Sequence, residues 1–508
     1  MTDERTGSAP AQTPTPAPTG LRRAHAWVST TYFAEGYPYS IVNNLADILF
    51  KELGASLQVV GLTSLFHLPW NLKFLWGPFV DDYETKRRWL LASEVAITIV
   101  IVLLGLLAAA GSASLVALAA GFVLLAMLSA THDIAIDGFY LEILSERDQS
   151  TFVGYRAAAY KVAALLVKGP LIAVCALLGW TTGLLGAALL MALLLGIHAW
   201  LLPKTETPQR PWTTLAKLAS WRTLPFLIIA ALLFAVERWW GTGSSLLRAW
   251  RELDVAPAWL AKISVGSWIG IALLASLLTL LAALPRLRRR MNAASERGLS
   301  SYASTFVSFL DQPKIGVMLA FVLLFRTGES FLLKMSWPFF DDVVGLELES
   351  YAAMQGGVGT LAMLAGTILG GRLIARDGLR KWIWPLVLAQ NLLNLLYMAL
   401  AMSPDPSAVS DTVVTALLGA ENFGSGLGTA AFMVYLMRTC DPRHKAGHFA
   451  IVSALMSVSF TVAGVLSGFL ADALGFATYF GFTFLATVPM MVLIFFVPHL
   501  DTGRATGE

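Results

Sequence analysis

Charge is what this chain has little of. Only 14% of its 508 residues are Asp, Glu, Lys or Arg, against about 25% in soluble domains, so it lacks the polar surface needed to face water all round. Cysteine is nearly absent. Cys175 and Cys440 make neither a disulfide framework nor a metal cage. No Ser or Cys nucleophile stands beside an activating base, and no metal-ligand spacing is convincing. That argues against an enzyme, a metal and a cofactor. A net charge of +3 gives no basis for a nucleic-acid partner. The first twenty residues carry Ala-Pro-Thr repeats around Pro10 to Pro18; without an apolar core they read as a disordered tail, not a signal peptide.

What is present is apolar. Hydrophobic residues make up 56% of the chain, gathered into runs of about 20 residues, enough to cross a bilayer as a helix. Polar links separate the runs. Only helices and closed barrels satisfy their backbone in lipid, and these runs lack the alternation of barrel strands. The expected class is therefore an all-α membrane protein embedded in the lipid bilayer. About fourteen spans are expected: 24–50, 57–80, 89–110, 114–140, 151–178, 180–202, 223–247, 258–285, 315–342, 350–374, 382–402, 411–438, 448–473 and 477–498. Basic clusters such as Lys86-Arg87-Arg88, Arg288-Arg289-Arg290 and Arg380-Lys381 fall in alternate links. The positive-inside rule then puts both termini in the cytoplasm.

The first and ninth spans share a pattern. Glu35 is followed twelve residues later by Asp47, and Glu329 twelve residues later by Asp341. Each segment leads to a span that ends in a charged turn, around Asp81 in one case and Arg376-Asp377 in the other. The expected organisation is a cytoplasmic tail (1–22), a six-helix bundle (23–203), a connector with two extra spans (204–313), a second six-helix bundle (314–499) and a short tail (500–508). Six plus six is the layout of the major facilitator superfamily, where substrate binds near the midplane and the halves rock around it.

Ionisable groups at mid-membrane need a partner, a cavity or a role. Glu35, Asp133 and Glu329 are the proton-coupling candidates. For Glu329 a salt bridge to Arg326, three residues away, is the competing reading. Tyr37, His67, Trp70, Asn71, Lys73, His132, Gln355, Asn391, Glu421 and Asn422 are candidates to line a substrate cavity. Asp133 and Asp137 share a helix face, and two such carboxylates ionise together only with cations near; Lys73, Arg156 and Lys161 are available. Asp81, Asp137, Arg156, Lys161, Arg376 and Asp377 are the candidates for a charged latch at the cytoplasmic ends. The run Gly424-Ser425-Gly426-Leu427-Gly428 suits close helix packing.

Three strings carry a family likeness. Lys73-Phe74-Leu75-Trp76-Gly77-Pro78-Phe79-Val80-Asp81, His132-Asp133-Ile134-Ala135-Ile136-Asp137, and the segment from Glu421-Asn422-Phe423 to Phe432 resemble the AmpG-like muropeptide permeases, which share a wider family with acetyl-CoA transporters. The resemblance implies a facilitator fold with a small-molecule substrate. It also implies proton-linked import of anhydromuropeptides across the bacterial inner membrane, by a protein expected to be a monomer. It marks Lys73, Asp133, Asp137, Glu329 and Glu421. His132 stands where the family commonly has Gln, and the extra helix pair lies between the halves instead of at the C-terminal end.

Overall fold

The computed structural model describes residues 23–73, 76–111, 115–204, 211, 307–441 and 445–500. The tails at 1–22 and 501–508 and the expected spans 223–247 and 258–285 lie outside them. Helices follow the apolar runs at the other twelve expected positions. We number them α1 (24–52), α2 (57–72, continued by Gly77–Asp82), α3 (Lys86–Ala108), α4 (Leu115–Ile143), α5 (146–178) and α6 (Trp180–Leu201). The second set is α7 (Ile315–Val344), α8 (Leu348–Asp377), α9 (Leu379–Ala401), α10 (Asp411–Arg438), α11 (Lys445–Leu474) and α12 (Phe476–Leu493). Among the described residues, nine helices are long and apolar enough to cross a membrane by length and composition. The links are short. Gly179, Gly378 and Gly475, each with φ between +72° and +89°, turn α5 into α6, α8 into α9 and α11 into α12 in a conformation that side chains with a Cβ resist.

Four helices widen into a π-turn: α1 at Ile41–Leu45, α5 at Val167–Leu171, α7 at Phe340–Val344 and α8 at Met354–Gly359. Pro38, Pro170 and Pro338 sit at or just before three of them, where a missing N–H and a ring clash displace the i−4 carbonyl. The fourth falls in the glycine run Gly356-Gly357-Val358-Gly359. The Pro38 and Pro338 kinks lie six positions out of step with the Glu35–Glu329 match, so the backbone repeat and the acid repeat are different registers.

Within the first set, α1 packs on α5, and α3 on both α4 and α6; within the second, α10 packs on α8 and α9, and α7 on α11. Two main crossings join the sets, α2 with α11 and α5 with α8. Advancing each number by six turns the first crossing into the second, as a two-fold repeat of six-helix halves requires. Both crossings are glycine to glycine. A Cβ on Gly356 would lie 2.2 Å from Gly169 Cα, and one on Gly61 would lie 2.9 Å from Gly468 N.

Polar contacts between the halves begin at the end of the bundle remote from the basic links. There Lys51 of α1 meets Asp341 and Asp342 of α7 at 2.8 and 2.6 Å, and Gln58 of α2 donates to Asp472 of α11 at 2.6 Å. Nearer the middle, Asn71 donates to Thr461 at 3.3 Å, and His67 bonds Ser457.

Two neighbouring glycines separate crossing from propensity. Gly356→Ala collides with the Gly169 backbone, whereas Gly357 faces open space. We expect Gly356→Ala to lower the melting temperature of the detergent-solubilised protein, by overpacking of about 1–3 kcal/mol. Gly357→Ala should leave it unchanged or raise it by up to about 1 kcal/mol of helix propensity.

Candidate functional site

The π-turns and the residues beside them put polar side chains where the halves meet. A cavity of about 100 Å³ is lined by Asn43, Asn44 and Asp47 of α1, Lys168 of α5, Lys334 and Trp337 of α7, and Tyr351 and Gln355 of α8. A widened turn re-aims its side chains and recurs at functional sites; here three of the four π-turns supply the lining. Lys334 Nζ donates to Thr63 Oγ1 at 2.7 Å and lies 3.4 Å from Asp47 Oδ2, so this ion pair also crosses between the halves. Gln355 accepts from Asn422 Nδ2 at 2.9 Å, and the same amide lies 2.9 Å from Glu421 Oε2. Gln355, Glu421 and Asn422 thus stand together, with Gln355 alone of the three lining the cavity.

Glu329 is nearly enclosed, at 4% exposure, and its carboxylate is fully occupied. Arg326 bonds both oxygens at 2.8 Å, Gln390 donates to Oε2 at 2.7 Å, and Ser425 donates to Oε1. The competing reading of Glu329 is the one the geometry favours: it ties α7 to α9 and α10. The other two proton candidates lie across the interface. Glu35, Asp133 and Asp137 bring carboxylate oxygens within 4.8 Å of one another. Lys73 Nζ reaches Asp133 Oδ2 at 2.6 Å. Arg156 and the Tyr32 hydroxyl both donate to Asp137 Oδ1 at 2.7 Å, and the guanidinium covers the Tyr32 ring at 4.2 Å. Glu35 Oε2 is buried with no hydrogen-bond partner. Three carboxylates therefore face two cations, and the unmatched one belongs to Glu35.

The remaining sequence candidates divide. His67 is buried, bonded through Nδ1 to Asn43 Oδ1 at 2.8 Å and stacked on Trp70, and with Asn71 it bridges the halves. Three readings need correction. Tyr37 is 1% exposed and packs in the apolar core beside Phe33, because the turn that carries Glu35 towards α4 carries Tyr37 away from the cavity. Asn391 is buried and donates to Val387 of its own helix. His132 points away from the cavity: it and His198 both bond Glu94 Oε1, at 3.3 and 2.5 Å, in a cluster without exposure. Of the latch residues, Asp137, Arg156, Arg376 and Asp377 make ion pairs within their own half. Arg156 locks α4 to α5 through Asp137. Asp377 gathers Arg376 (3.0 Å), Lys381 (3.2 Å) and the Trp382 indole (2.9 Å) at the α8–α9 turn. Asp81 lies at the end of α2. Lys161 joins neither aspartate.

Lys168, Lys334, Asn43, Asn44, Glu94 and His198 were missed from sequence. A lysine inside an apolar run, as in Leu332-Leu333-Lys334-Met335, was the available signal for the first two.

Two family models match, one on each half: that described as Acetyl-coenzyme A transporter 1 over residues 28–163, and that described as Major Facilitator Superfamily over residues 352–508. The anhydromuropeptide permease of Escherichia coli (strain K12) is 24% identical over 467 residues, which cover 91% of this chain and 77% of that one. Putative transporter AmpG 4 of Rickettsia conorii is 21% identical over 91% of this chain and 93% of its own length. Over nine-tenths of its length the chain is similar to AmpG-like members of the major facilitator superfamily. Solved structures of that fold agree. A peptide transporter POT in complex with sulfate aligns over 93% of this chain and 94% of its own, with TM-score 0.65 and 12% identity. The xylose transporter XylE from E. coli, in an inward open conformation, aligns with TM-score 0.56 and 10% identity over 95% of this chain and 98% of its own. The chain thus shares the fold of these transporters, and its apolar helices make it a multi-pass membrane protein.

The two central glutamates should differ in unfolding measurements. Glu329→Gln leaves the Arg326 guanidinium without its counter-charge and should cost on the order of 3 kcal/mol, much of it recovered in Arg326→Met/Glu329→Gln. Glu35→Gln removes an unmatched negative charge and should leave stability unchanged or higher.

Proposed function

We propose that this AmpG-like chain imports anhydromuropeptides (GlcNAc–anhydroMurNAc with or without peptide) across the bacterial cytoplasmic membrane, coupled to protons, as a monomer. The observation that carries the coupling is the unmatched carboxylate. Glu35, Asp133 and Asp137 carry three negative charges against Lys73 and Arg156. One proton on Glu35 makes the cluster neutral, so loading and release of that proton changes the charge buried between the helices by one unit. In a low-dielectric interior a change of that size biases one arrangement of the halves over another.

Direction follows from the basic links. With those links and both termini in the cytoplasm, the end sealed by Lys51 and Gln58 faces the periplasm. The cavity beneath is then reached from the cytoplasm. At about 100 Å³ it is too small for a disaccharide, so cargo of that size enters while the halves stand further apart on the periplasmic side. The muropeptide assignment rests on the relatives' names and on the hydrogen-bonding lining. A second reading, transport of acetyl-CoA, is favoured by the family match over residues 28–163.

Proteoliposomes separate these readings. Labelled GlcNAc–anhydroMurNAc should accumulate when the outside is acid and equilibrate without a gradient. Glu35→Gln should reduce accumulation to the no-gradient level while retaining exchange of internal for external substrate. Gradient-driven accumulation by Glu35→Gln would contradict the proton assignment. Uptake of acetyl-CoA but no muropeptide would replace the cargo.

A further inference from the structure

Two lysines on α5 have no partner. Lys161 and Lys168 are seven residues apart, so they share one helix face with a rise of about 10 Å between them. Among the described residues neither takes part in a hydrogen bond or an ion pair. Among the described residues, the other central cations are matched: Lys73 by Asp133, Arg156 by Asp137, Arg326 by Glu329 and Lys334 by Asp47. An unpaired ammonium in an apolar bundle is costly, and a long side chain normally escapes by reaching the membrane surface. Lys168 does not: it lines the cavity, its backbone against Gly356 of α8, and lies within electrostatic reach of Asp47 and Glu421. Lys161 is exposed, on the same face of α5 as Lys168, and within electrostatic reach of Lys168, Arg326 and Glu329.

The carboxylates nearby do not relieve them. Glu329 is enclosed by Arg326, Gln390 and Ser425, and Asp47 is shared with Lys334. Only Glu421 has spare charge near Lys168. We propose that Lys161 and Lys168 form an anion-binding pair that takes an acidic group of the transported molecule, a carboxylate or a phosphate. Lys161 meets the anion at the open part of the cleft, and Lys168 holds it beside the α5–α8 crossing. Asn43, Asn44 and Gln355, on neighbouring π-turns, supply hydrogen bonds to the uncharged remainder. The inference deepens the transport reading above and rests on it for the location of the ligand. It names the feature by which cargo is selected: negative charge.

The test uses ligand-dependent thermal stabilisation of the purified full-length protein with two matched pairs of probes. One pair is GlcNAc–anhydroMurNAc and its uncharged methyl ester; the other is acetyl-CoA and uncharged S-acetylpantetheine. Charge-assisted hydrogen bonds predict that the wild type holds the acidic member of one pair on the order of tenfold or more tightly. Lys161→Gln/Lys168→Gln should hold both members equally. If the preference and its loss occur only in the acetyl-CoA pair, the anion site stands and the muropeptide reading falls. If the wild type prefers neither acid, or the double variant keeps the preference, the anion site is overturned. A second readout needs no ligand. Lys168→Met should melt at the same temperature as the wild type or higher, because it removes an uncompensated charge; a marked loss of stability would mean that Lys168 has a structural partner and would overturn the proposal.

Discussion

An ionised side chain among apolar helices must find a counter-charge, and this requirement organises the centre of the molecule. The chain has few charges, yet they recur on the faces where the two halves meet. Lys73 with Asp133 and Arg156 with Asp137 join α2, α4 and α5, and Glu329, paired with Arg326, joins α7 to α9 and α10 through Gln390 and Ser425. Lys51 with Asp341 and Asp342, and Lys334 with Asp47, fix the halves to each other. Among the described residues, what is left over at the centre is small and local: carboxyls at Glu35 and Glu421 and two ammonium groups on α5. Those remainders are the groups whose charge can be completed by something that arrives and leaves.

The backbone allows this arrangement to come apart. The crossings α2–α11 and α5–α8 are built on glycine pairs that bring the backbones into close approach. The polar contacts beside them are single hydrogen bonds and ion pairs, and the outermost, Lys51 with Asp341 and Asp342 and Gln58 with Asp472, lie near an aqueous end, where water can replace each partner. Contacts inside each half are of another kind. Glu329 has three different side chains around it, and the Glu94–His132–His198 cluster is fully buried. Rigid halves with an exchangeable seam are what rocking of the halves requires.

Hydropathy was sufficient to read the helices, because runs of about 20 apolar residues admit no other backbone solution in lipid; the twelve described helices follow from it. Helical spacing also revealed the Asp133–Asp137 face and two of its cations. It could not say which way a helix turns about its own axis. Tyr37 was therefore misplaced, although Glu35 two residues away faces the acidic cluster. Glu94, His132 and His198 meet from three helices, and no spacing in one dimension announces that. Glu35 and Glu329 looked equivalent by their distances to Asp47 and Asp341, yet one lacks donors and the other has a full set. The difference comes from α9 and α10, which supply Gln390 and Ser425. Lys168 and Lys334 were legible in principle, as single charges in apolar runs. Their importance depends on the π-turns, which hydropathy does not report.

The central claim is that the seam joining α1 and α7 must open for each molecule carried. It can be tested by joining the seam covalently. In a background with Cys175 and Cys440 replaced by alanine, Lys51→Cys and Asp341→Cys put one thiol on each side of the seam, where the native side chains meet at 2.8 Å, and a short bis-maleimide can bridge them. The account predicts that the bridged protein binds ligand from the cytoplasmic face but no longer transports, while either single cysteine treated with the same reagent transports normally. Full transport by the bridged protein would contradict it.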